Sequence, residues 1–142
     1  MATAKWKAAE AESSNIAGTA LNSLATATAS GVLADIANGT GKNLNVCFWV
    51  VLGSAAFTGG SIQIRLVRKR GSTEPTRDAS TFTGEQSSIA IPAGTAAKEL
   101  SSDAMMLKGP FTFGVEIVNN SGVPLASSGN EVYYQVWDEE VA

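Results

Sequence analysis

The chain has 142 residues, of which 44% are hydrophobic and only 16% are charged, and its formal net charge at pH 7 is −3. This length fits one domain, which can bury a substantial core without a metal or a disulfide. The small negative charge disfavours nucleic acid as a partner, because nucleic-acid binders need clustered cations that displace counterions from phosphates.

The sequence offers few groups able to perform chemistry. It contains no histidine, and Cys47 is its only cysteine, so an intrachain disulfide is excluded. The apolar neighbours of Cys47 predict a buried thiol rather than a nucleophile, since no histidine exists to activate it. The carboxylates of Asp78, Glu85 and Asp103 lack the spacing of a calcium loop. We therefore expect a non-enzymatic protein with neither a metal nor another cofactor.

The first residues, MATAKWKAAEAESS, read as a polar arm rather than as part of the core. No apolar region follows the two lysines, as it would in a secretory signal, and no apolar run approaches the ~18 residues of a membrane span. We predict an arm at 1–14 and a domain at 15–142, in a protein made in a cytoplasm without a membrane partner. Trp6, an aromatic residue in a polar arm, could dock on a neighbouring subunit.

Residues 15–40 are small and hydroxylic, without a sustained helical stripe, and they predict short strands at 16–21 and 32–37, although their alanines keep a helix possible. The next segment, NLNVCFWVVLGSA, is apolar on both faces, as in a strand covered on each side. After the turn FTGG, the run SIQIRLVRKR alternates as a half-buried antiparallel strand does. A hairpin between these two strands is the expected connection.

The second half of the chain continues with short strands. Ile89 to Ile91 form a strand that ends at Pro92. In FTFGVEIV apolar residues alternate along the chain, so the odd-numbered ones lie on one face of a strand. Glu131 to Trp137 form the last strand, with Val132 pointing inward. Short strands, frequent turn residues and no helical period predict an all-β protein. The expected fold is an antiparallel β-sandwich of jelly-roll or Greek-key type with a short N-terminal arm.

Half of the basic residues fall within thirteen positions: Arg65, Arg68, Lys69, Arg70 and Arg77. A solvated sheet edge protected by charge is the simpler interpretation, and a protein interface with acidic groups is the alternative. The acidic run Asp138 to Glu140 is such a partner, so Arg68, Lys69 and Arg70 become candidate interface residues in a head-to-tail contact between copies of the chain.

Two further residues near the C-terminus are candidates for an interface. Trp137 lies on the strand face opposite Tyr134, which favours an exposed contact. Asn120 lies in the segment Asn119–Ser121, which matches a glycosylation acceptor but, without a secretory signal, is more simply a turn. The sequence VNNSGVPLASSGNEVYYQV, at 118–136, thus combines two turns with the final strand.

This C-terminal stretch resembles a family of virion structural proteins of tailed bacteriophages. The matching residues are Asn120, Gly122, Leu125, Ala126, Ser128, Gly129 and Asn130. The segments LNSLA, NLNVCFWVVLG and IPAGTAAKEL are similar to the family in order and character. The loop GSTEPTRDAS departs from it, which leaves the function of this loop open.

The resemblance implies a capsid decoration, or cement, protein. Such a protein would bind the outer surface of the phage head and bridge major capsid proteins, as a symmetric oligomer that is most plausibly a trimer. Its turns would form the contact end or would let the final strand re-enter the sheet. The alternative is a receptor- or carbohydrate-binding module of a tail or fibre that uses Tyr133, Trp137 and the loop 71–88.

Overall fold

The computed structural model of the chain describes residues 4–6, 9–39 and 43–141, and in these residues the regular structure consists of ten β-strands without a helix. The predicted all-β class is confirmed. The strands are β1 Ala4–Trp6, β2 Thr28–Ala37, β3 Asn45–Leu52, β4 Ser61–Arg68, β5 Glu85–Ala90, β6 Lys98–Ser101, β7 Met105–Met106, β8 Thr112–Asn120, β9 Glu131–Trp137 and β10 Glu139–Val141.

The strands form two larger antiparallel sheets and one small one. In the first sheet the order is β2-β8-β4-β5. In the second, β3 pairs along one edge with β6 and β7 and along the other with β9. Strands β1 and β10 pair separately. One hydrophobic cluster contains buried side chains of both large sheets, among them Phe48 and Val132 of the second and Ile64 and Ile117 of the first. The two sheets therefore share a core.

The predicted hairpin between β3 and β4 is wrong, because these strands belong to different sheets. Residues 53–60 carry the chain from one sheet to the other. Phe57 is buried in this connection and forms a bridge with Gly94. The buried Phe57 thus fixes the connection so that the chain crosses to the other sheet instead of returning beside β3.

The predicted strand at 16–21 is also wrong, whereas the one at 32–37 is confirmed as part of β2. Ala20, Asn22 and Leu24 each donate a backbone hydrogen bond to the carbonyl three residues earlier, so the chain turns repeatedly here. Leu21 is fully buried within these turns. Repeated turns rather than a strand therefore bury this leucine.

The burial of the central strands differs from the expected pattern. β3, predicted to be covered on both faces, alternates between buried and half-buried residues, and Cys47 is half-buried rather than buried. β8, predicted to alternate, is buried on both faces from Phe113 to Asn119. β4 is likewise buried on both faces from Ile64 to Val67. Part of the outer face of β4 and β8 is covered by the connection between β4 and β5, the loop 69–84.

Residues 10–16 run along the outer edge of β9. The amides of Glu10, Ser13 and Ile16 donate hydrogen bonds to alternate carbonyls of β9, at 3.1, 2.9 and 2.9 Å. In return the Ser13 hydroxyl accepts from the Tyr134 amide at 2.9 Å. Free strand edges invite pairing with other chains, and this segment covers one. The boundary of the arm at residue 14 stays a prediction.

We predict that Gly53→Ala lowers the free energy of unfolding by about 2 kcal/mol or more, because the close packing of this turn leaves no room for a methyl group. An added Cβ would lie 2.2 Å from the carbonyl oxygen of Ser128 and 2.8 Å from the Cβ of Ala126. Gly39→Ala is the matched control, since a Cβ there meets no atom within 4 Å. Urea denaturation measures both variants, and equal stability of the two would contradict the packing.

Candidate functional site

A buried carboxylate organises the outer face of the first sheet. Glu116 of β8 is almost completely buried, and Arg65, its neighbour in the register on β4, lies 3.3 Å from it. Arg77 of the loop 69–84 donates hydrogen bonds from Nε to both carboxylate oxygens, each at 3.1 Å. Unpaired charge in this position would cost several kcal/mol, so the carboxylate requires both cations. We call Arg65, Arg77 and Glu116 the charge cluster.

Arg65 also holds the backbone of the loop 69–84. Its guanidinium donates hydrogen bonds to the carbonyl oxygens of Asp78 and Ala79, at 2.7 and 2.6 Å. The same guanidinium lies 5.0 Å from the centre of the Phe82 ring, a cation–π distance. The planar side chain thus binds the loop through two hydrogen bonds and one cation–π contact, and the loop is fixed against the sheet.

Asp78 stabilises the turn at the centre of this loop. Its Oδ1 accepts hydrogen bonds from the amide and hydroxyl of Ser80 and from the amide and hydroxyl of Thr81, at 2.7 to 2.9 Å. These bonds favour the ionised carboxylate and lower the pKa of Asp78 to about 2, and the bond from the Ser80 hydroxyl has the largest effect. The local conformation of the loop therefore comes from its own sequence, and the charge cluster sets its position.

The fixed loop forms one wall of a cleft of about 450 Å³. Leu66 and Phe113 of the first sheet form an apolar part of its lining, and Met106 and Lys108 line it from the side of β7. The other lining residues are Arg68, Pro75, Thr76, Arg77, Thr81, Phe82, Thr83, Gly84 and Glu85. A volume of this size is in the range of ligand pockets, and a cleft between the edges of two sheets can accept a side chain or a short segment.

The exposed apolar residues lie at the same end of the molecule. Leu44, Met106 and Phe111 are 44%, 51% and 42% exposed. The Leu107 amide donates to the Leu44 carbonyl, and the Asn38 amide donates to the Phe111 carbonyl, so the two loops that carry these residues are joined. We call this the cleft end of the molecule. Neighbouring exposed apolar side chains favour a contact with another protein.

The basic run from the sequence is divided by the structure. Arg65 is buried, and Lys69 is paired with Asp35 at 2.8 Å, so neither is free to bind a partner. Arg68 and Arg70 are exposed, and within the described residues they make no salt bridge. Of the predicted interface residues in this run, the structure leaves Arg68 and Arg70 available at the cleft end.

The other predicted interface residues lie in two places. Trp137 ends β9 opposite Asn45, which also pairs with Met106, so Trp137 is at the cleft end. The backbone of Trp6 pairs with Glu139, and its side chain lies outside the described residues. Asn120 is exposed at the opposite end, where β8 finishes. Asn120 and Arg68 therefore do not belong to one continuous patch on a single copy.

The opposite end, which we call the turn end, uses its polar side chains internally. Asn119 is fully buried and donates to the carbonyls of Leu24 and Val123, each at 2.8 Å. Asn130 accepts from the Gly53 amide at 3.1 Å and donates to the Ala126 carbonyl at 2.8 Å. These side chains satisfy turn backbone that pairs with no strand. The side chains of the C-terminal motif therefore stabilise the turns of the fold.

Sequence reasoning missed the charge cluster. The alternation of Arg65 with Ile64 and Leu66 predicts a solvated face for Arg65, and the apolar run around Glu116 carries no local sign of a paired acid. The available signal was the combination of a carboxylate inside the apolar run FTFGVEIV and arginines elsewhere, since a buried acid needs a cation. In the described residues, no group of three or more metal-ligating side chains lies together.

Comparison with protein-family models, curated proteins and solved structures found no match to this chain. The resemblance to phage virion proteins therefore stays a prediction. Within residues 9–39 and 43–141, no helix is long and apolar enough to cross a membrane.

We predict that Glu116→Gln lowers the free energy of unfolding by about 3–5 kcal/mol, because it leaves two buried or half-buried guanidinium groups without their carboxylate. Glu74→Gln is the matched control: its side chain is 40% exposed and pairs with Arg77 at 2.9 Å. Surface pairs of this kind contribute about 0–1 kcal/mol. Urea denaturation of both variants tests the difference, and a Glu116→Gln variant as stable as the control would refute the role of the charge cluster.

We also predict that Asp78 stays ionised at pH 3. Its folded pKa, about 2, lies below its ordinary value of 3.8, so its hydrogen bonds are fully present above pH 3.8 and are lost as the pH falls through about 2. The NMR shifts of the Ser80 and Thr81 amides should therefore hardly change between pH 5 and 3. Asp78→Asn removes the titration and serves as the control. A transition centred near 3.8 would show that the turn does not form as described.

Proposed function

We propose that the protein is a non-enzymatic decoration, or cement, protein of a tailed-bacteriophage head. It binds the outer surface of the capsid as a symmetric oligomer, with a trimer favoured, and bridges major capsid proteins. In this proposal the protein is made in the host cytoplasm, becomes part of the virion, and needs neither cofactor nor nucleic acid nor membrane. The two sheets form a sandwich of jelly-roll or Greek-key type.

The observation that carries the proposal is the difference between the two ends of the molecule. At the turn end, buried amide side chains such as Asn119 and Asn130 are satisfied within the chain. At the cleft end, Leu44 and Phe111 are exposed, and the Arg68 guanidinium lies 5.3 Å from the Phe111 ring centre. Apolar and arginine side chains of this kind are enriched at protein interfaces. One end of a rigid body is thus suited to a protein surface.

The oligomer would compensate for the small size of this surface. Three exposed apolar side chains bury far less area than a stable protein complex requires. Several copies joined in one oligomer bind a repeating lattice with a higher effective concentration, so weak contacts add up to firm attachment. A decoration protein on a capsid lattice satisfies this condition, since identical sites recur around each symmetry axis.

One feature favours the alternative, a receptor- or carbohydrate-binding module of a tail or fibre. The cleft presents the hydroxyl-bearing residues Thr76, Thr81 and Thr83 beside Phe82. Hydroxyl groups next to an aromatic ring can hydrogen-bond and stack on a sugar. However, the Arg65 guanidinium lies over the Phe82 ring, which leaves less of this ring for stacking. We therefore place capsid binding first.

We predict that Leu44→Glu reduces the number of copies bound per head by about tenfold or more, because it places a charge in the exposed apolar surface. Thr58→Glu introduces the same side chain at an exposed position between β3 and β4, at the turn end, and should bind normally. Purified variants are added to heads that lack the protein, and bound copies are counted by quantitative gel densitometry.

Equal occupancy by both variants would refute the assignment of the cleft end to the capsid. If the wild-type protein does not bind heads and instead gives a signal on a glycan panel, the carbohydrate-binding alternative replaces the proposal. Gold-labelled protein on purified virions separates the two locations directly, since label on the head supports decoration and label confined to the tail supports the alternative.

A further inference from the structure

The cleft carries positive charge that the described part of the chain does not neutralise. Arg68 lines it, and within residues 9–39 and 43–138 no carboxylate pairs with Arg68 or with the neighbouring Arg70. Lys108 pairs with Glu85 at 3.2 Å but remains 64% exposed, so this pair is weak and open to exchange. In a protein with a net charge of −3, this cluster of cations indicates an anionic partner.

The apolar part of the cleft favours a peptide over a sugar. Met106, 51% exposed, lies among the lining residues, and its flexible thioether chain adapts to the side chains of a protein partner. The Arg65 guanidinium lies 5.0 Å from the Phe82 ring centre, and the Arg68 guanidinium lies 5.3 Å from the Phe111 ring centre. One face of each ring is therefore covered and does not stack on a sugar. An acidic segment that also carries an apolar residue fits these features.

The chain itself contains such a segment. Asp138, Glu139 and Glu140 are three consecutive acidic residues, and Val141 follows them. The backbone of Glu139–Val141 is β10, which pairs with β1. The acidic segment is therefore carried by a two-stranded ribbon, which loses less conformational entropy on binding than a free tail.

The register of the second sheet places the cleft and the acidic segment in complementary positions. Asn45 of β3 pairs with Met106 on one edge and with Trp137 on the other. The cleft beside Met106 and the segment after Trp137 therefore lie at the same end of the molecule but on opposite edges of this sheet. To reach its own cleft, the segment would have to cross the end of β3. A neighbouring copy, turned about an axis along the strands, has no such obstacle.

We propose that the acidic segment 138–140 of one copy binds at the cleft of the next, where Arg68 and Arg70 receive the carboxylates of Glu139 and Glu140 and Met106 contacts Val141, which follows the segment. This contact rests on the proposed assembly function and specifies how the oligomer forms. It is a heterologous contact, in which two different surfaces meet, and such contacts close into a ring when the rotation between copies is a whole fraction of a turn. The ring then presents all its cleft ends on the same side.

The test is a charge reversal on each side of the contact, followed by their combination. Sedimentation equilibrium of the full chain, whose monomer mass is 14.6 kDa, measures the oligomer. We expect a ring for the wild type. We expect Arg68→Glu with Arg70→Glu to lower the affinity between copies about tenfold or more. Glu139→Lys with Glu140→Lys should lower it by the same factor. The combination of all four substitutions restores the opposite charges and should restore the ring.

Lys98→Glu is the matched control, since Lys98 begins β6 at the turn end and its reversal should leave the oligomer intact. Circular dichroism verifies that each variant is folded. A monomeric wild type, an oligomer insensitive to the reversals, or a combination that stays monomeric would each overturn the contact. Head binding is measured separately. A monomer that still decorates heads refutes this contact and the oligomer but keeps the proposed capsid binding. A ring that does not bind heads supports this contact and refutes the proposed capsid binding.

Discussion

The structure depends on one buried carboxylate. Glu116 lies in the middle of β8 with 3% of its side chain exposed, so it must be neutralised within the protein. Arg65 is next to it in the sheet, but Arg77 comes from the loop 69–84 and reaches Glu116 only when this loop folds over the sheet. The need to pair one acid thus determines where a long surface loop lies. A hydrophobic residue in place of Glu116 would leave the buried Arg65 guanidinium without its carboxylate and the loop without its anchor.

The position of the loop in turn creates the cleft. Some of the cations around the cleft are paired within the chain, and others are not. The cations nearest the sheet are used internally: Arg65 and Arg77 by Glu116, and Lys69 by Asp35. Arg68 and Arg70, which alternate with Lys69 along the chain, are exposed and pair with neither of these acids. The same run of basic residues therefore stabilises the fold at some positions and leaves exposed guanidinium groups at others.

Much of the strand content could be predicted from the sequence, because hydrophobic alternation reports which face of a strand is buried. The alternation of Val132 and Val136 in β9 is an example, as both are buried. Alternation does not report which sheet a strand joins, and so β3 and β4 were expected in one hairpin. It also failed for Arg65, since the burial of this residue depends on Glu116, which is 51 positions away in the chain. Pairing between distant residues leaves no local pattern.

The division between the two ends bears on what the resemblance to phage proteins can mean. The residues that carry it, such as Gly129 and Asn130, belong to the turn end, where Asn130 joins Gly53, Ala126 and the side chain of Asn22. These hydrogen bonds within the chain show that the motif maintains the fold. The loop 69–84, where the sequence departs from the family pattern, lies at the cleft end. Proteins with the same turn end can therefore share an architecture while their surface loops differ, because the shared motif does not constrain the sequence of the loop 69–84.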